Sequence, residues 1–317
     1  MKNLVAVKVS PRIIRNKATA RVIPAQVIVT PSVRRKSISK AIAKSAPKQV
    51  PNQAIRKKSI TINLPQRQKQ QLKKKRREPK VTYTTKDTTP ESLVKIKALH
   101  NSKTGRILLI VGNGPSINSI PLEQLRGHPL LDTLSINKPD SRIWPTTCWT
   151  FFDQSQMKRH RDLWNGYTGY IFNSTAIRDQ CKTSMQFKYL STVGWSRDLT
   201  AGVHICRTSV YASMQIAAWM GYDYVYIIGV DMDPAGIDGK LHFYGENPDV
   251  SPDRRGKRFE KEAVAYDHAA SVLSPEERKR FIFCTKGINP WPFMNKFPTL
   301  EPREVVGHIM EHKCAST

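Results

Sequence analysis

Apolar and polar positions alternate in blocks along the last two-thirds of this chain, and the blocks predict strands and helices in turn. Arg106-Ile107-Leu108-Leu109-Ile110-Val111 is an unbroken apolar run, as in a strand buried on both faces. Gly112-Asn113-Gly114-Pro115-Ser116 follows at once, and a helix-like stretch runs from Ser119 to Arg126. Further strands are predicted from Leu131 to Ile136, ending at Asn137, from Thr147 to Phe152, ending at Asp153, and from Gly169 to Phe172, ending at Asn173. Residues 203–220 carry a long helical pattern, and Tyr222 to Gly229 is a second buried strand that runs into Val230-Asp231-Met232-Asp233. Arg258 to Leu273 reads as a helix, Ser274-Pro275-Glu276-Glu277 as the start of another, and Phe281-Ile282-Phe283 as a last strand. Strands alternating with helices set the expected fold class: α/β, Rossmann-like, a mainly parallel sheet flanked by helices. In such sheets the ligand crevice lies outside the carboxyl ends of the strands, where Asn137, Asp153, Asn173 and Asp231 would gather.

Charge divides the chain at about its first quarter. Residues 1–80 hold 23 Lys and Arg, one acid (Glu78), and no Phe, Tyr, Trp or Cys, so they carry +22 of the total +27. Such a segment repels itself and has too little apolar surface to offset chain ordering, so a long disordered basic N-terminal tail is expected. Its cations cluster at Arg34-Arg35-Lys36, Arg56-Lys57-Lys58 and Lys73-Lys74-Lys75-Arg76-Arg77. Each Lys or Arg brought to a phosphate releases condensed counterions, which makes the tail a candidate nucleic-acid arm. With no aromatic residue to stack on bases, it would hold phosphates without reading sequence. An organellar transit peptide is the other reading of an Arg-rich, acid-poor terminus, and the length of the bias argues against it.

Residues 81–104 form a polar connector in which Thr88-Thr89-Pro90-Glu91 signals the start of a short helix. Residues 105–317 make one α/β domain. No apolar run is long enough to span a membrane, and no secretory signal is present, so a cytoplasmic protein with no membrane partner is expected. The five cysteines are scattered without a paired spacing, which signals neither a disulfide framework nor a zinc site.

Chemistry concentrates at the glycine-rich turn. Glycines let a backbone approach a phosphate closely, and the N-terminus of a following helix offers free N–H groups. The turn is neither a dinucleotide fingerprint nor a Walker loop, and on physics alone a tight turn serves as well as a phosphate cradle. It resembles the opening of the family-42 bacterial sialyltransferases and of the related domain of 6-hydroxymethylpterin diphosphokinases and phage-encoded proteins, which begin with a buried strand followed by Gly-Asn-Gly-Pro-Ser. The resemblance continues at Thr200-Ala201-Gly202-Val203, similar to a Thr-Ser-Gly-Val turn, and at Gly221-Tyr222 and Ile228-Gly229-Val230-Asp231.

The resemblance implies that Gly112, Asn113, Gly114, Pro115 and Ser116 hold the phosphate and ribose of a nucleotide, with Asn137 reaching it from the second strand. Thr200 and Gly202 would line the same pocket. Asp153 stands where the sialyltransferases tend to have Asn, and Ala201 replaces a Ser, two departures that leave the donor's identity open. It further implies that His242, beside Tyr244 in Leu241-His242-Phe243-Tyr244, is the general base. An imidazole suits that role because it titrates near pH 6.5. Arg197 is placed to clamp a phosphate or carboxylate, Asn289 to touch the nucleotide, and the tract from Asp253 to Arg258 is expected as a solvated loop that could receive an anionic acceptor.

Three functions follow as expectations. The first is a nucleotide-sugar-dependent glycosyltransferase, sialyltransferase-like, with a nucleotide-activated sugar donor and phage nucleic acid as acceptor. The second is a diphosphotransferase that uses ATP and Mg²⁺ held by Asp231 and Asp233. The third is a non-enzymatic DNA-associated or virion protein on a degenerate transferase fold.

Overall fold

The computed structural model describes residues 87–164, 166–177, 184–245, 251–285 and 291–312. The basic arm, the first residues of the connector, Asn289 and the cysteines Cys181 and Cys314 lie outside these ranges. Nine strands are described: β1 (Ile107–Val111), β2 (Leu131–Ile136), β3 (Cys148–Thr150), β4 (Tyr170–Ser174), β5 (Ser184–Phe187), β6 (Tyr189–Leu190), β7 (Val203–His204), β8 (Tyr224–Ile228) and β9 (Phe281–Phe283). Helices are α1 (Pro90–Ala98), α2 (Gln154–Arg159), α3 (Arg161–Trp164), α4 (Ser209–Met220), α5 (Pro252–Val272), α6 (Pro275–Lys279) and α7 (Val305–Met310). Seven strands form one parallel sheet in the order β5-β4-β3-β2-β1-β8-β9. The fold is α/β and Rossmann-like.

Strand alternation sorts the core into layers. Leu108 and Ile110 of β1 join Ile96, Leu99, Tyr211, Ile216, Tyr266 and Ala269 on one face, under α1, α4 and α5. Ile107, Leu109 and Val111 point the other way, to Ile117, Leu122, Val305 and Ile309, under two 3₁₀ turns and α7. A third cluster around Trp149, Phe151, Met157 and Ile171 lies by α2. Burying each such aliphatic side chain contributes about 1.5–3 kcal/mol.

The 81–104 connector does more than span a gap. Thr89 caps α1 through Ser92 N, and Pro90 occupies the first turn. Ile96 is fully buried, the Trp219 indole donates to its carbonyl at 2.8 Å, and Lys103 N donates to Met220 O. From Asp87 onward, then, the described connector is packed onto the domain.

Three other expectations change in detail. The helical pattern over 203–220 breaks in two: Val203–His204 pairs with Tyr189–Leu190, Cys206 and Arg207 take φ of 48° and 69°, and the helix starts only at Ser209. The stretch from Ser119 to Arg126 holds one short 3₁₀ turn, Leu122–Leu125, entered at Pro121, and another, Pro115–Ser119, precedes it. The tract from Asp253 to Arg258 is helix rather than loop, since Ser251 caps α5, Pro252 occupies its first turn and Asp253 favours its positive end.

Candidate functional site

Strand order reverses between β1 and β8, so their carboxyl ends should open the crevice. Instead the chain closes it. Gly112 N donates to Ile228 O and Gly114 N to Gly229 O, both at 2.9 Å, carrying the pairing past the strand ends. Both glycines are required by closeness: a methyl group on Gly112 would strike Gly229 O, and one on Gly114 would lie 2.5 Å from Asp231 Oδ2. Asp231 occupies the anion position of the turn. One carboxylate oxygen accepts Ser116 N at 2.9 Å and the other accepts the Ser116 hydroxyl. Burial pushes the Asp231 carboxyl above the usual carboxylate range, against the pull of the Ser116 bonds.

The donors offered in sequence as a phosphate cradle are thus engaged within the chain. Ser116 and Asp231 are buried and bonded to each other, Gly112 and Gly114 serve close packing, and Pro115 opens the 3₁₀ turn. Asp231 accepts both of its side-chain bonds from Ser116. Asp233 accepts Ala235 N, and among the described residues no cluster of three His, Cys, Asp or Glu could hold a metal.

The polar gap lies one step along the sheet. Asn113 Nδ2 donates to Ile136 O at 3.0 Å, which leaves its Oδ1 buried without a partner. Asn137 has φ of 54°, accepts the Trp149 indole on its carbonyl, and also buries an unpartnered Oδ1. Asn173 is 0 % exposed, with neither side-chain atom bonded, and the fully buried Ser135 hydroxyl is unpartnered as well. These atoms belong to β2, β4 and the residues just after β1 and β2. Since nearly all buried polar atoms are paired, this concentration at one sheet edge marks a place where a ligand's polar atoms would be welcome.

His242 reaches the same edge. Phe243 N donates to Asn113 O at 2.9 Å, which ties the chain at His242 to the Asn113 main chain. The imidazole stacks on Tyr244 with centroids 5.0 Å apart and planes at 16°, and Lys138 Nζ lies 4.5 Å from the Tyr244 ring centre. Burial, reinforced by Arg258 and Arg255, pushes His242 below its ordinary value, so the ring is neutral at neutral pH and able to accept a proton. Burial pushes the Tyr244 hydroxyl up, keeping it protonated.

The remaining expected residues go elsewhere. Asp153 is exposed and caps α2 through Ser155 N at 2.8 Å. Thr200 bonds Asp198, and Gly202, at φ 128°, packs on Lys188 O and Leu190. Arg197 forms a two-pronged pair with Glu277 and, with Trp195, Trp219 and Phe281, lines a shallow pocket toward the amino ends of β8 and β9. The sequence reading missed Ser135 and Lys138. Lys138 had a signal, a cation directly after a strand-ending carboxamide; Ser135, inside an apolar strand, had none.

Compared with family models, with curated proteins and with solved structures, the chain gives no match. What the site does has to be argued from its own chemistry.

Proposed function

We propose that the edge formed by Asn113, Asn137, Asn173 and His242 binds a nucleotide-activated sugar and transfers its glycosyl group. The observation that carries this reading is the pair of unpartnered buried carboxamide oxygens of Asn113 and Asn137 on the segments that meet the stacked His242–Tyr244 pair. Carboxamides offer both donor and acceptor and suit the uncharged edges of a base, ribose or sugar. His242 would accept the proton of an acceptor hydroxyl while that oxygen bonds to the anomeric carbon, and the bond to the nucleotide's phosphate oxygen breaks with its electron pair. The likeness of the His242–Tyr244 segment to the family-42 sialyltransferases supports the same assignment. Under this reading the basic tail concentrates the enzyme on its acceptor, nucleic acid.

The test is mass spectrometry of oligonucleotides and released nucleotides after incubation with cytidine, uridine and adenosine nucleotide sugars. Transfer by the intact chain that drops about a hundredfold or more in His242→Ala supports the reading, in line with the usual weight of a general base. Transfer undiminished in His242→Ala sinks it.

The Asp231-filled turn favours one second reading, a binding domain without catalysis on a degenerate transferase fold. Nucleotides that raise the melting temperature with no transfer to any acceptor would establish it. The diphosphotransferase expectation is weaker, because Asp231 is already bonded to Ser116.

A further inference from the structure

The cations around the candidate site come from three separate elements. Lys138 follows β2 and lies over Tyr244; Arg159 ends α2 and acts on both Tyr244 and His160; Arg255 and Arg258, on the first turns of α5, act on His242. The acids nearby are committed to the chain itself: Asp231 to Ser116, Asp153 to Ser155 N, Asp233 to Ala235 N, and Glu262 to Arg258 at 2.6 Å. Lys138 and Arg159 enter no ion pair among the described residues. A bound anion would gain free energy from these two cations, whose charge no carboxylate of the described chain offsets. Within the edge, by contrast, the unpartnered atoms are all uncharged.

We propose that this site takes a phosphate-bearing ligand whose anionic group is held at the rim by Lys138, which lies over the Tyr244 ring, and Arg159, and not at the glycine turn. The uncharged portion of the ligand then lies against Asn113, Asn137 and Asn173. The assignment rests on the small-molecule reading of this edge and departs from the cradle the sequence points to. A phosphate at Ser116 would have to displace a buried carboxylate that already uses both of its donors. At the rim, Lys138 lies 4.5 Å from the centre of the Tyr244 ring that stacks on His242, and neither Lys138 nor Arg159 has a carboxylate partner among the described residues. The phosphate could belong to a nucleotide or to a nucleic-acid chain, and the probes below separate the two.

The experiment is calorimetry on the full-length protein at low salt with inorganic pyrophosphate, CDP, UDP, ADP and the corresponding nucleosides. Variants are Lys138→Gln/Arg159→Gln at the rim, Lys95→Gln/Lys279→Gln as a remote pair that removes the same charge, and Ser116→Ala at the turn. The basic tail is identical in all of them and contributes a common background. The expected result is about a tenfold loss of pyrophosphate and diphosphate affinity in the rim variant, with less than twofold loss in the remote pair and in Ser116→Ala. Equal losses in the rim and remote variants, no loss in the rim variant, or a loss confined to Ser116→Ala would each overturn the proposal. Rim-dependent pyrophosphate binding with no nucleotide preferred over it leaves the rim standing and removes the nucleotide reading. Nucleoside binding with diphosphate affinity indifferent to the rim does the reverse. A short oligonucleotide transferred or bound tenfold less well by the rim variant than by the remote pair assigns the phosphate to a nucleic-acid chain; equal values assign it to the donor.

Discussion

Asp231 shows how one side chain decides what a motif can do. The Gly112–Ser116 turn gives its glycine N–H groups to neighbouring carbonyls and the two donors of Ser116 to the Asp231 carboxylate. Asp231→Ala should therefore cost about 1–3 kcal/mol in urea denaturation, the price of leaving the Ser116 N–H and hydroxyl buried and unpaired. A larger effect is expected at Asp132, a 4 % exposed carboxylate that receives Arg106 at 2.7 and 3.0 Å, Lys103 at 3.1 Å and the Tyr222 hydroxyl at 2.8 Å. Burial alone would raise its pKa, but these four donations win and hold it below the usual range. Asp132→Asn should cost about 3 kcal/mol, since it strands two cations. His242 bears on rate rather than stability. With its pKa below 6.5, the acid limb of the proposed transfer should lie under pH 6.5, and a limb above pH 7 would exclude His242 as the base.

At the scale of elements, α6 carries a testable clasp. Ser274 and Glu277 form a capping box, and Glu277 also holds Arg197. Ser274→Ala should cost about 1 kcal/mol, measured as a lowered urea midpoint. The Arg197 guanidinium, aided by the cap, holds the Glu277 carboxyl down at about 2. A depressed carboxylate stabilises the fold above its unfolded value of 4.5 and loses that contribution as pH falls toward 2. The melting-temperature gap between wild type and Arg197→Gln should thus be constant from pH 7 to 5 and close between pH 4.5 and 2. Helix α1 is likewise part of the domain by packing. Ile96→Ala should cost about 2–5 kcal/mol, whereas a free connector would lose nothing.

For the whole molecule, charge partition gives the clearest expectation. If the tail is a nucleic-acid arm, affinity for duplex DNA should fall steeply with salt, and deletion of residues 1–80 should abolish that slope while the α/β domain stays folded. No helix among the described residues is long and apolar enough to cross a membrane. The sequence by itself determined six of the seven strands of the sheet, all but β5, with the helix starts at Thr89-Pro90 and Ser274-Pro275 and the carboxamides at strand ends, because burial period and capping chemistry are local properties. Asn113, Asn137 and Asn173 stood out for the same reason, each following or ending an apolar run, and the structure buries an unpartnered side-chain atom of each. Only the tertiary structure decided that Asp231 fills the glycine turn, that Arg197 and Thr200 sit away from it, and that Lys138 and Arg159 join His242 and Tyr244. Those outcomes depend on which strand ends become neighbours in the order β3-β2-β1-β8, and contacts between residues some twenty to more than a hundred positions apart leave no periodic trace in the chain.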